Sequence, residues 1–372
     1  MHRRAFEEEI FFVHPHGLYI DGAQTALPGL RMIVDTGHAS TIAMLEDEKI
    51  AERIPSGSLL LVLKTAPKIE HLAAERGWVL VAPSSALNRR FENKLTIASE
   101  FLAVGLPSIE HIIVAPVETS WAVLAGRFGE RIVVQEARGH AGEGTRLLTS
   151  LADFALLKER EGHPMKFSPF LSGETWTLNG VVGGAGVLVS RPCLQLPNPD
   201  GSLGSYGNAS KPIDDDLALD IMKHTIRFGE HMGREGYRGW FGLDVLVHDG
   251  HIRGFIECNP RLTASAGIFT EMQVEAGQTP FILLHVLEHL DRTYPMDVLH
   301  ELRLLADGFR ESHAVLREAT MRASGIYDTA WRRLRDGAWA DLGEGETLVR
   351  SRSIPGSPSA ICISRGNILD VL

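Results

Sequence analysis

Cysteine is scarce in this chain: 372 residues hold only Cys193, Cys258 and Cys362. They form no CxxC pair and no framework, which excludes a disulfide-stapled fold and suits a reducing compartment. Long apolar runs are missing too. The longest, such as LLLVL at 59–63, are strand-sized and far short of the roughly 20 residues a helix needs to span a bilayer. The first stretch, MHRRAFEEEIFFVHPHGL, carries three glutamates where a signal peptide would be apolar. Positive charge is outnumbered, with 37 Lys and Arg against 47 Asp and Glu and a net charge of −10. A general nucleic-acid or anionic-membrane binder needs the opposite balance, so neither partner is expected. A local basic pocket for a phosphorylated ligand remains compatible with it. No GxGxxG follows the first apolar run, so no dinucleotide fingerprint is present. Internal repeats and low-complexity tracts are absent. These absences together predict a cytoplasmic soluble protein.

What is present is an ordinary globular composition, 44% hydrophobic and 23% charged, in a chain long enough for two or three lobes. Over residues 10–87 short apolar runs alternate with helical patterns. LRMIVDTG reads as strand and turn, TIAMLEDEKIAERI as one amphipathic helix, SLLLVLK as a strand, KIEHLAAERG as a helix and WVLVAPS as a strand. That alternation predicts a parallel α/β layer. NKLTIASEFLAVGLP, residues 93–107, reads as a helix ended by Gly105 and Pro107. After it come a strand near 111–114, a helix near 118–128, a strand at RIVVQ and the glycine-rich EARGHAGEGTRLL. MKFSPFLSGETWTLNGVVGGAGVLVS reads as strands bracketing Gly173. Residues 196–212, LPNPDGSLGSYGNASKP, read as a long irregular loop, the kind that often serves as a lid. IDDDLALDIMKHTIRFGEHMG and PFILLHVLEHLDRTY read as helices.

The chemistry concentrates in WFGLDVLVHDGHIRGFIECNPRLT, residues 240–263. Asp249-Gly250 is a strong two-residue hairpin signal. It sets His248 opposite His251 and Asp244 opposite Phe255, with Glu257 diagonal to Asp244. Diagonal neighbours lie roughly 7–8 Å apart, close enough for both carboxylates to lean onto one divalent cation. Strand alternation then puts Glu257, Asn259 and Arg261 on one face and Cys258 on the other, in the core. Asp, Glu and Asn supply hard oxygen ligands suited to Mg²⁺. Arginine supplies a fixed donor fork for a carboxylate or phosphate.

These residues resemble the metal-binding end of the ATP-grasp superfamily, especially its biotin-carboxylase-like branch. The shared pattern is an acid on one strand and Glu-x-Asn-x-Arg on the next. The resemblance implies Asp244, Glu257 and Asn259 as ligands of Mg²⁺ (or Mn²⁺) on ATP, and Arg261 as the catalytic residue that stabilises a reacting acyl phosphate. Three further stretches are similar in family order. Lys94, with Asn93 where the family more often has Asp, corresponds to a lysine that contacts ATP phosphate. The flap VVQEARGHAGEGT implies phosphate contacts from Gly139, His140, Gly142, Gly144 and Thr145. SPFLSGETWTL implies an adenine hinge at Pro169, Phe170 and Leu171, with Glu174 near the ribose. One position departs from the pattern: the strand before the flap usually carries a second lysine, and here Gln135 stands there. Glutamine donates hydrogen bonds but brings no charge. Lys166 and Arg138 are the candidates to compensate.

The implied architecture is mixed α/β and α+β, an ATP-grasp fold behind a parallel-sheet domain. Its parts are 1–88 as the N-terminal domain, 89–295 as two lobes clamping ATP and 296–372 as a C-terminal extension. The implied activity is ATP-dependent, ADP-forming ligation of a small-molecule carboxylate to an amine, an amino acid or peptide among them, as in peptide ligases of natural-product pathways. The flap and the 196–212 loop would close to exclude water. Many such proteins are dimers, so a homodimer is expected. Two alternatives stand beside this reading: a bicarbonate-activating carboxylase-type subunit, and a nucleotide-binding module without catalysis.

Other signals read as structure. HVLEH at 285–289 matches a zinc-protease pattern, yet fits an amphipathic helix in a histidine-rich chain. His14 and His16 share a strand face and Trp176 and Trp240 suit packing. WRRLRDG at 331–337 reads as the exposed face of a helix.

Overall fold

The structure is a computed structural model. It describes residues 9–15, 20, 22–35, 37–139, 144–160, 162–198, 201, 203–209 and 211–306, and the strand backbones within 311–365. The chain opens with β1 (Ile10–Val13), β2 (Leu30–Ile33), α1 (Thr41–Glu46), α2 (Glu48–Ala51), β3 (Leu59–Leu61), α3 (Pro67–Arg76) and β4 (Val79–Val81). The strands form an all-parallel sheet in the order β2-β1-β3-β4. Alternate side chains serve opposite faces. Phe11, Val13 and Leu60 pack with Met44, Leu45, Ile69 and Leu72 of α1 and α3. Ile10, Phe12, Leu59 and Leu61 join a second core with Phe269, Phe281 and Ile282 from much later in the chain. Burial on both faces explains why these strands read as unbroken apolar runs. The single helix expected over 41–54 is divided. Asp47 is extended, ends α1, and accepts a hydrogen bond from Lys49 N as the N-cap of α2.

Next come α4 (Ser85–Glu92), α5 (Ile97–Ala103), β5 (Ile112–Val114), α6 (Trp121–Phe128), β6 (Ile132–Gln135), β7 (Thr145–Leu148), α7 (Leu151–Arg160) and β8 (Met165–Pro169). The last four strands make an antiparallel sheet, β5-β8-β6-β7. Its inner face packs Val134, Met165 and Phe167 on Leu124, Phe128, Phe154 and Leu157 of α6 and α7.

The remaining elements are β9 (Glu174–Gly183), β10 (Gly186–Val189), β11 (Cys193–Pro197), β12 (Ser205–Ala209), α8 (Asp215–Arg234), β13 (Gly239–His248), β14 (His251–Asn259), α9 (Ala266–Glu275), α10 (Phe281–His289) and α11 (Val298–Ala306). After them lie β15 (Glu311–Arg317), β16 (Trp331–Arg335), β17 (Ala338–Ala340), β18 (Leu348–Ser353) and β19 (Ser359–Arg365). Together the strands form one sheet of order β14-β13-β9-β11-β12-β15-β19-β18-β16-β17, with β10 on β9. α8 buries Ile221, Met222, Phe228 and Met232 beneath it. Its long apolar stripe faces that core, and Asp214 caps its N-terminus.

Two expectations fail in this region. Residues 205–209, expected within an irregular loop, form β12, because β11 and β15 offer ladder partners on both sides. Tertiary pairing overrides the low strand propensity of Gly and Asn there. The arginine-rich 331–335 is strand β16 rather than helix, paired with β17 and β18. Among the described residues no helix is long and apolar enough to cross a membrane.

Candidate active site

The hairpin β13–β14 turns at Asp249 and Gly250, both with positive φ (50° and 72°), as a tight Asp-Gly loop requires. His248 faces His251 as expected, but the register then shifts twice, and Asp244 lies directly opposite Glu257 instead of Phe255. The cause is visible in a neighbouring segment of the same chain. Phe255 N donates to Pro107 O at 2.9 Å, and Ser108 bridges Phe255 in parallel. The 107–109 segment thus takes a ladder bond from β14, and β14 bulges around it. The outcome places the two carboxylates face to face rather than diagonally.

Asp244 is 7% exposed, and its Oδ1 has no hydrogen-bond partner. Burial, and secondly the nearby Glu257, push its carboxyl up from 3.8 to about 7; hydrogen bonds from Thr177 and Gln195 and the charge of Lys94 oppose this. A buried, unpartnered carboxylate oxygen beside a second carboxylate is unfavourable alone and suits a hard cation. Asn259 Nδ2 donates to Glu257 Oε1 at 3.2 Å, completing an oxygen-rich edge. Among the described residues no cluster of three or more His, Cys, Asp and Glu could hold a metal. A cation here therefore needs ligand oxygens in addition to Asp244, Glu257 and Asn259.

Cations surround these acids. Lys94, 5% exposed, places Nζ 3.1 Å from Glu257 Oε2. It follows α4, which is docked on the end of β14 by Asn88 Nδ2 donating to Pro260 O at 3.0 Å. Arg261 is held on three sides: Nη2 donates to Asn259 Oδ1 at 2.9 Å, Nη1 to Leu262 O at 3.2 Å and Nε to Glu92 Oε1 at 3.2 Å. Cys258 points the other way and is 1% exposed in the core, where burial raises its thiol far above the ordinary range.

A cavity of about 1080 Å³ opens above these groups. Lys94, Asp244, Glu257, Asn259 and Arg261 line it, and so do Gln135, Thr145, Pro169, Phe170 and Leu171. Gln135 is buried at 7% exposure and its Nε2 approaches Thr145 Oγ1 at 3.5 Å. Its cross-strand partner is Lys166, on the same face of β8 as the lining residue Ser168. Burial, and then Lys94, bring the Lys166 ammonium down from 10.5 to about 8, against the pull of Glu257. A cation thus stands across the strand from Gln135, although neither Lys166 nor Arg138 is among the residues lining the cavity.

Other predicted positions separate. Glu174 is exposed, pairs with Lys211 and does not line the cavity. Gly144 (φ +70°) does not line it either, and a Cβ there would meet Arg138 O at 2.8 Å, so the flap needs glycine for its own backbone. Gly139, at the start of the flap, is not among the lining residues; His140 and Gly142 lie outside the described residues, as does His16. Gly173 fits β9 against β13, since a Cβ would fall 2.4 Å from Val247 O. The zinc-like pattern is structural: His285 Nδ1 accepts from Trp240 N at 2.9 Å, while Glu288 accepts from Gly184 N.

Sequence reasoning missed Arg131, whose guanidinium lies 3.8 Å from the Phe170 ring centroid, while Phe170 N donates to Arg131 O at 2.8 Å. The only available signal was that Arg131 immediately precedes β6, the strand carrying Gln135. It also missed Gln195 and Thr177, the hydrogen-bond donors to Asp244, and Glu92, two residues before Lys94.

Residues 103–265 match the model of the ATP-grasp domain, and the chain has the fold of the ATP-grasp superfamily. No curated protein matches it by sequence. Solved structures match it in fold along nearly the whole length. Carboxyaminoimidazole ribonucleotide synthase from Aspergillus clavatus, solved with ATP, is 12% identical, with 98% of this chain and 95% of that one covered and a TM-score of 0.63. The biotin carboxylase of Campylobacter jejuni, also a nucleotide complex, is 12% identical over 97% and 88% of the two chains, with a TM-score of 0.67. Phosphoribosylamine–glycine ligase from Thermotoga maritima is 16% identical over 96% and 90%, with a TM-score of 0.59.

Proposed function

We propose that this protein is an ATP-dependent, ADP-forming ligase that joins a small carboxylic acid to an amine through an acyl phosphate. The observation that carries the reading is Asp244 opposite Glu257, with Asn259, Arg261 and Lys94 beside them in one cavity. The structurally similar proteins include a synthase, a carboxylase and a ligase, two of them solved with nucleotide. The nucleotide would occupy the space between Phe170, Leu171 and Gln135, with Arg131 fixing the Phe170 ring from one side. Lys94 and Lys166 would meet phosphate oxygens. Asp244, Glu257 and Asn259 would hold Mg²⁺ or Mn²⁺, which when bound neutralises triphosphate charge. The acid's carboxylate oxygen attacks the γ-phosphorus, the bond to the β-bridging oxygen breaks, and ADP leaves. The amine then attacks the acyl carbon, loses a proton and expels phosphate. Arg261, its fork locked by Asn259, Leu262 and Glu92, would stabilise the oxyanion of that second step. Residues 89–295 would form the clamp, flanked by 1–88 and 296–372.

The test uses hydroxylamine as a generic amine. With ATP, Mg²⁺ and a panel of carboxylic acids, an accepted acid gives a hydroxamate with ADP and phosphate in equal amounts. Release of AMP and pyrophosphate would remove the mechanism. The likeness to a biotin carboxylase supports a second reading with bicarbonate as the acid. ADP release stimulated by bicarbonate, with no organic acid present, distinguishes it.

The Gln135–Lys166 pairing gives a separate expectation. Lys166→Met should weaken ATP binding about tenfold, the scale of one charge-assisted hydrogen bond. In the wild type, a bound polyanion raises the Lys166 ammonium from about 8, so binding at pH 8 takes up protons. Calorimetry in two buffers of different ionisation enthalpy reads this directly. Equal heats in both buffers would show that Lys166 does not meet the nucleotide.

A further inference from the structure

One carboxylate, Glu92 at the end of α4, holds two cations at once. Its Oε1 accepts from Arg261 Nε at 3.2 Å, and its Oε2 pairs with Lys64 Nζ. Lys64 comes from the loop after β3 of the first sheet, so the pairing ties that domain to the end of β14. Lys64 and Arg261 both line the cavity, whereas Glu92, with its side chain 13% exposed, is not among the described lining residues. The carboxylate therefore backs the two cations, which face the open space. Two cations share this one carboxylate, and its width sets the spacing between them. A second carboxylate arriving from the cavity would meet that spacing on the opposite side, one oxygen to each cation.

The lining around Lys64 is mixed: Leu63 and Ala66 from the loop after β3, Ile69 of α3, Ile42 of α1 and Pro15 give it apolar surface, interleaved with the polar His14, Ser40, Thr41 and Thr65. We infer that Lys64 and Arg261, presented by Glu92, form the docking site for the carboxylate of the acid substrate, and that this acid carries an apolar substituent lying against Leu63, Ile42 and Ile69. The inference rests on the ligase reading and assigns the acid to one end of its cavity. Glu92 is a positioning residue: it acts by holding the two cations. Lys64 is a binding residue supplied by the N-terminal domain, about 200 residues in sequence from Arg261.

The site is tested by calorimetry on the full chain with ADP and Mg²⁺ present, using acetate, 4-methylpentanoate, 3-phenylpropanoate and the neutral 4-methylpentanamide. The wild type should bind at least one of the two larger acids more tightly than acetate, and should not bind the amide. Lys64→Met should weaken that binding at least about tenfold, the loss of one charge-assisted contact, with ADP affinity unchanged. Lys64→Arg should restore it to within about threefold. Glu92→Gln loosens the hold on both cations and should weaken acid binding, by less than Lys64→Met does, with ADP affinity unchanged. Three results would overturn the site: none of the acids binds, the amide binds as well as the acid, or Lys64→Met binds as the wild type does. Carboxylate binding that depends on Lys64, but with no hydroxamate formed from any acid, would uphold the site and defeat the ligase reading. Hydroxamate formation with the same KM for acid in Lys64→Met would do the reverse.

Discussion

The Asp244→Asn protein should lose ATP turnover by about a thousandfold, roughly 4 kcal/mol of barrier, and should nevertheless be more stable than the wild type when both are free of metal above pH 7. The two effects share one cause. Asp244 is buried, its Oδ1 has no partner, and its carboxyl is pushed up to about 7 by burial first and Glu257 second. Below its ordinary value of 3.8 the group is protonated in folded and unfolded chains alike, and ionisation costs nothing. Between 3.8 and about 7 the unfolded chain has lost a proton that the folded chain keeps. The contribution of this group to stability therefore falls as pH rises through that window and stays low above it. The difference is on the order of a few kcal/mol. Asparagine keeps an oxygen to accept from Thr177 and Gln195 but carries no charge, so it removes the penalty. A cation with nucleotide relieves the same penalty in the wild type only. Chemical denaturation at pH 5 and pH 8, with and without Mg²⁺ and ADP, checks each arm. A mutant that is less stable than the wild type at pH 8 without metal would contradict the account.

What could be read from the sequence follows from what each feature depends on. The Asp249-Gly250 turn, the α8 stripe and the parallel first sheet are local or periodic, and pattern alone reveals them. The Asp244–Glu257 pairing depends on two bulges that exist because the 107–109 segment docks on β14. No local pattern in 240–263 announces a partner more than a hundred residues upstream. Lys166 was named as a compensating charge, but only the β6–β8 register shows it beside Gln135. Glu92 and Arg131 lie within a few residues of motifs that were found. Their importance arises from contacts with Arg261, Lys64 and Phe170, which chain order does not encode. The strand at 205–209 was hidden because its partners, β11 and β15, supply what its composition lacks.

Arg261→Ala should lower kcat by about 10²–10³ while leaving the KM for ATP nearly unchanged, the pattern expected when a donor to developing negative charge is removed. Its guanidinium is fixed by Asn259, Leu262 and Glu92 and lines the cavity. On the proposed function, nucleotide affinity would rest on other residues, Lys94 among them. Arg261→Lys should not restore the rate. An ammonium can replace the charge but cannot donate at once to the Asn259 side chain, the Leu262 carbonyl and Glu92 while keeping a direction toward the substrate. Losing Arg261 also leaves Glu92 Oε1 without this cation, while Lys64 stays on Oε2. The KM for the acid should therefore rise together with the fall in kcat, which separates Arg261 from Lys64, whose loss should raise that KM with kcat largely kept. Steady-state hydroxamate formation across the three proteins measures both constants. A wild-type kcat in Arg261→Ala would mean that the charge forming in the second step is stabilised elsewhere, and that Arg261 only secures the end of β14 against α4.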